Sequence, residues 1–159
     1  MNPTGLHLAQ HFGKHYRAAF AGGNWSDNSL RQHLEGLPLA EATRRHGAAN
    51  SIAAIAYHLH YFVNGVLNVL TGQPLDTRDA PSWETPAFAT QAEWDAFVAR
   101  LLADGEAVAA AFEALPEEGM WLPFHDPKYS SVFTNGLGIL EHTYYHLGQV
   151  AVLRRVGGA

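Results

Sequence analysis

The sequence contains no cysteine. Disulfides, thiolate metal ligands and cysteine nucleophiles are therefore excluded, and thiol usage says nothing about compartment. Long apolar runs are also missing: none approaches the roughly 20 residues needed to span a bilayer. Positive charge is sparse. Lysine and arginine number 10 against 15 acidic residues, for a net charge of −5. The longest basic runs are the pairs Arg44-Arg45 and Arg154-Arg155. A nucleic-acid surface needs a basic stripe, so none is expected. The opening MNPTGLHLAQ has neither the charged nor the apolar region of a secretory signal. These absences together predict a soluble cytoplasmic protein with no nucleic-acid and no membrane partner.

What is present is apolar and helical. Apolar residues make up 47% of the 159 and charged residues 16%, enough for one domain over 1–159 with a sizeable core. Leu6 to Phe20 sets Leu8, Phe12, Tyr16, Ala19 and Phe20 on one side of a helix, with Gln10, Lys14 and Arg17 opposite. A turn at GGNWSDNS follows, and a short helical piece is expected over Leu39 to Arg45. The second long helix is SIAAIAYHLHYFVNGVLNVL, opened by Asn50-Ser51 as its cap and closed by Gly72 and Pro74. The connection TGQPLDTRDAPSWETPAF is long for one between helices and reads as a crossover or a lid.

A capping box at Thr90 and Glu93 starts the third helix. Trp94, Phe97, Leu101, Val108, Phe112 and Leu115 form its apolar stripe, and Pro116 ends it. After the loop WLPFHDPKYSS, a fourth helix runs from Val132 to Arg155. Period-2 alternation is weak throughout. The predicted fold is all-α: a four-helix bundle with an additional short helix and a long connection between helices 2 and 3.

Histidine is the compositional excess, with ten in the chain. On the fourth helix Glu141, Gly148 and Arg155 mark the solvent edge, and Ile139, His142, His146, Val150 and Leu153 lie opposite. Histidines four apart overlie one another on a helix, and their ring nitrogens can converge on one ion at about 2.0–2.1 Å. A lone core histidine is most simply a hydrogen-bonded packing residue. Two adjacent polar rings on an apolar face each need partners, and one shared metal supplies both.

A third donor is needed. The second helix offers His58 and His60, about 200° apart on its wheel, with the apolar centre (Ile52, Ile55, Leu59, Val63, Val66, Leu70) almost midway between them. Periodicity does not choose. His7, His11 and His15 drift from the polar side of the first helix toward its apolar margin and read as partly exposed, with His15 a candidate for packing behind the site. His33, His46 and His125 read as solvated surface, His125 being placed to reach a pocket mouth.

The pair His142/His146 has Thr143, Tyr144 and Tyr145 between, so it lacks the catalytic glutamate of H-E-x-x-H proteases. Paired Glu-x-x-His motifs of di-iron bundles are absent, as are a P-loop and G-x-G-x-x-G. A histidine-only site suits Zn²⁺, Ni²⁺ or Fe²⁺.

The stretches GILEHTYYHLGQVAVLRR, SIAAIAYHLHYFV and GGNWSDNSLRQHL resemble the DinB-like superfamily of metal-binding bundles, which includes the YfiT-like proteins. The likeness runs from the GGNW turn to the C-terminus, and its most specific part is H-x-x-x-H-x-G-Q, here His142, His146, Gly148 and Gln149. The resemblance implies a four-helix bundle holding a divalent metal through one histidine of the second helix and two of the last. By position, S-I-x-x-I-x-x-H makes His58 that ligand, so the implied metal set is His58, His142 and His146, and His60 becomes a structural or pocket residue. Several relatives are transferases or isomerases that use a low-molecular-weight thiol such as bacillithiol, mycothiol or glutathione.

The function implied is therefore that of a metal-dependent thiol transferase, or a hydrolase, acting on a small molecule. Gln149 shares a stripe with His142 and is placed to line a pocket. No general base is identifiable. The competing expectation is a non-catalytic metal-binding bundle, or a metal-free scaffold acting through protein partners. A homodimer is also expected.

Overall fold

The computed structural model describes residues 7–157. Leu6, where periodicity starts the first helix, lies outside the described residues. The long helices are α1 (Leu8–Ala21), α4 (Ile52–Leu70), α6 (Gln91–Ala114) and α7 (Val132–Gly157). Both α1 and α4 pack on α6, and both also contact α7, closing a four-helix bundle. Short helices α2 (Leu30–Leu34), α3 (Leu39–Ala42) and α5 (Asp79–Ser82) decorate it, with 3-10 turns at Glu117–Trp121 and Pro127–Tyr129. Among the described residues there is no strand, only a lone bridge between Pro123 and Ser131. No described helix is long and apolar enough to cross a membrane.

The long helices start where their caps allow. Ser51 Oγ accepts from the Ala54 amide at 3.2 Å at the head of α4, and Thr90 Oγ1 accepts from the Glu93 amide at 3.2 Å at the head of α6. The Glu93 carboxylate reaches back to the Ala89 amide at 2.7 Å rather than to Thr90, so the box closes one residue early. Gly72, with φ of +82°, terminates α4 in a conformation that favours glycine.

Two differences from the sequence reading concern short elements. Helix α5 occupies a stretch read as a loop, and α2 a stretch between the turn and Leu39 to which the sequence reading assigns no element; at four and five residues they are too short to show a helical period. The α2 cap, Ser29 Oγ accepting from the Gln32 amide at 3.3 Å, is the local signal that was present. The expected piece from Leu39 to Arg45 stops at Ala42, with Thr43 as its C-cap.

The core fills the space between α1, α4, α6 and α7. Phe112 is fully buried, its ring 4.6 Å from that of Phe12 and 6.3 Å from that of Tyr16. Across the same seam Arg17 of α1 bridges Glu106 and Glu113 of α6, at 2.7 and 2.6 Å. The connection 71–90 forms a strap whose helix α5 packs on α4. Gly65 lets the strap approach: a Cβ there would collide with Thr77.

Phe112→Ala should lower stability by about 3–5 kcal/mol, read as a shift of the urea midpoint with unchanged slope. A loss under 1 kcal/mol would mean that this aromatic cluster does not hold α1 to α6.

Candidate metal centre

Helix α4 faces α6 on one side and α7 on another. His58, buried at 4% exposure, lies toward α7; His146 is buried at 4%, and His142 is half-buried. His142 Nε2 lies 3.0 Å from His58 Nε2 and 3.0 Å from His146 Nε2. One nitrogen from each ring falls within 4.8 Å of the others. Two nitrogens bound at 2.0–2.1 Å to one tetrahedral ion sit about 3.3 Å apart, so little movement separates this cluster from a three-imidazole metal site.

The hydrogen bonds behind the rings settle where their protons sit. Ser82 Oγ donates to the Asp79 carbonyl at 2.5 Å, leaving its lone pair to accept from His58 Nδ1–H at 2.8 Å. Gln149 Oε1 accepts from His146 Nδ1–H at 2.7 Å, while Gln149 Nε2 donates to the Tyr145 hydroxyl at 3.1 Å. Both His58 and His146 therefore aim a bare Nε2 lone pair at the centre. A single N–H on His142 can serve only one of them well. A cation satisfies all three nitrogens together, and on that ground the donor set fits a divalent transition metal.

Aromatic rings wall the cluster. Trp83, next to Ser82 on the strap, stacks on His58 with centroids 3.7 Å apart and planes 15° from parallel. Phe62 meets His58 and His142 edge-on, each at 5.1 Å. Tyr145 lies edge-on to His146 at 4.9 Å. Burial lowers His58 to about 4, assisted by the charge of His146 and opposed by Asp79. It lowers His142 to about 4 as well, with His146 and His58 adding to the effect. His146 is lowered by burial, against the opposing hydrogen bond to Gln149. All three imidazoles are neutral at pH 7, the state that ligates metal.

The remaining histidines are elsewhere. His60 lies toward α6, its Nε2 2.7 Å from Asp104 Oδ2, and it lines a separate cavity of about 600 Å³ with Tyr57 and Phe97. His7, His11 and His15 are exposed, His7 pairing with Glu117 at 2.9 Å and His15 lying 6.0 Å from the Tyr144 ring. His33 and His46 are half-buried, contrary to the solvated surface expected; His33 belongs to α2 and meets Asn28 at 2.9 Å. His125 is exposed and lines none of the cavities against the cluster. Gln149, read as a pocket residue, does line one, and it also orients His146.

Ser82 and Trp83 were missed by sequence reasoning. They stand 24 and 25 residues beyond His58 in an aperiodic loop, and the only signal was that loop's length with an aromatic in it.

Removing a partner behind a ligand histidine typically costs 10–100-fold in metal affinity. Ser82→Ala should therefore weaken zinc binding by about 10–100-fold in a competition titration against a chelating dye, with helical circular dichroism unchanged. Affinity equal to wild type would remove Ser82 from the site. Acid should also act on the metal-free protein. Unfolded imidazoles titrate near 6.5, whereas His58 and His142 titrate near 4 in the fold. Between those values the unfolded chain binds more protons, so stability is lost as pH falls through that window. Urea midpoints of chelator-treated protein should drop from pH 6.5 to 4, and His142→Phe should flatten the drop.

Comparison with known proteins gives the chain a family. The family model of the DinB superfamily matches residues 24–150, a span containing α2 to α6 and all three clustered histidines. No curated protein and no solved structure matched the chain. The match covers most of the sequence, and the chain belongs to the DinB superfamily.

Proposed function

We propose that this protein is a divalent-metal-dependent transferase that joins a low-molecular-weight thiol to a small molecule, with His58, His142 and His146 holding the metal. The observation that carries this reading is access. His142 lines a cavity of about 430 Å³ and His146 lines another of about 770 Å³. A structural zinc site is closed by a fourth protein ligand, whereas a catalytic one keeps a position open. Among the described residues the cluster has three ligand-bearing side chains and no carboxylate, which favours the open kind.

When bound, the metal supplies Lewis acidity that lowers the pKa of a thiol or water. The protein's own residues do the rest. Ser82 and Gln149 hold the protons of His58 and His146 on Nδ1, and Trp83 and Phe62 exclude water from the His58 ring. Neither cavity is lined by an aspartate or glutamate. Hydrolysis through water calls for such a base, as in zinc proteases. A thiol, with an ordinary pKa near 8.5, needs far less help. That difference favours thiol transfer over the hydrolase alternative.

Elemental analysis of tag-free protein should find about one transition-metal ion per chain, lost in both His58→Ala and His142→Ala. No metal in the wild type after incubation with zinc or nickel would sink the metal site and the activity built on it. Metal retained equally in both variants would place it elsewhere.

A further inference from the structure

His60 takes no part in the metal centre, yet its side chain is only 12% exposed, on the side of α4 that faces α6. A row of residues four apart, His60, Asn64 and Asn68, carries polar groups along that side, and all three line the cavity of about 600 Å³. Thr77 and Phe88 of the strap complete its wall. Much of the remaining wall is aromatic. The Phe97 ring lies 6.3 Å from that of Tyr57, 5.4 Å from that of His60 and 5.2 Å from that of Phe88.

The acids around this cavity are already engaged or turned away. Asp104 accepts from His60 Nε2 at 2.7 Å and from Asn64 Nδ2 at 3.3 Å. Glu93 accepts from the Ala89 amide at 2.7 Å. Asp76 is 83% exposed and lies 3.7 Å from Arg78. Arg100 differs from them. Helical spacing makes Asp104, four residues on, its expected partner, but His60 and Asn64 occupy that carboxylate. Arg100 lines the cavity with no ion pair or hydrogen bond among the described residues. The Asn68 side-chain amide is likewise unpartnered among them.

We propose that this cavity is a second ligand site, separate from the metal centre, and that it takes a flat aromatic carboxylate, with the ring against Tyr57 and Phe97 and the carboxylate on Arg100. The site does not depend on the metal-dependent reading. A guanidinium presents a planar fork of donors that matches a carboxylate, and an aromatic ring gains by burial against other rings. An ammonium in the same place would meet Arg100 with no unengaged acid to offset it.

Calorimetric titration of the full chain with 2-naphthoate, 2-naphthamide and 2-(aminomethyl)naphthalene tests this. 2-Naphthoate should bind at a single site, the amide about tenfold more weakly and the amine more weakly still. Arg100 is exposed, so Arg100→Gln should fold normally, and it should bring the acid down to the affinity of the amide. Ala96, exposed on α6 and part of the same wall, gives a second variant: Ala96→Trp should fill the cavity and abolish binding of both. His142→Ala should bind 2-naphthoate as the wild type does. No binding to the wild type, acid and amide bound equally, or an unchanged affinity in Arg100→Gln or Ala96→Trp overturns the proposal. Binding lost in His142→Ala overturns it too, by placing the carboxylate at the metal centre.

Discussion

Three neutral imidazoles sharing one buried spot cannot satisfy one another. That constraint organises the molecule. His58 and His146 have their Nδ1 protons fixed by Ser82 and Gln149, so two lone pairs face inward with a third ring between them. An apolar core would normally exclude such a group, since buried polar atoms without partners cost about 1–3 kcal/mol each. The bundle keeps it where α4 meets α7 and encloses it in Trp83, Phe62 and Tyr145. The site's neutrality and its fitness to hold a cation follow from the same placement.

The arrangement divides labour between the elements. The long helices supply the ligands, which therefore sit on rigid backbone with separations set by helical geometry. The outer contacts come from two sources. Gln149 belongs to α7 itself, one turn from His146, whereas Ser82 and Trp83 come from the strap between α4 and α6. One ligand is thus oriented locally and another by a tertiary contact. Both cavities are lined by α4, α7 and the strap; the His142 side adds Phe124 and Tyr129, and the His146 side adds Ala49 and Asn50 of the α3–α4 connection.

Much of this was legible in the sequence, for identifiable reasons. The wheel of α7 separated exposed Glu141, Gly148 and Arg155 from buried Ile139, His146, Val150 and Leu153 because that helix has one wet side. The choice between His58 and His60 was not legible from periodicity, because α4 is packed on two sides. One histidine faces α7 and the other faces Asp104 on α6, so both lie at margins of the apolar stripe. The resemblance of S-I-x-x-I-x-x-H in the second helix resolved it by position. His33 escaped because a five-residue helix has no period to read, and its partial burial comes from docking. Ser82 escaped because a serine in a loop carries no signal until the chain returns to α4.

The strap has a consequence for how the protein ages. Ser82 is its one buried residue, and it is held by Thr77 over Gly65, by Ser82 and Trp83 on His58 and by Phe88 against Trp94 and Phe97. Segments with so few buried contacts are the first to open in native-state fluctuations. Release of the strap takes away both the acceptor and the aromatic cover of His58, so an ion held at this centre and the closed strap would favour one another. A protease that cuts opened loops would therefore sense the occupancy of the centre, and a molecule stripped of its ion would be marked for removal at residues 71–90 while its four long helices were still folded.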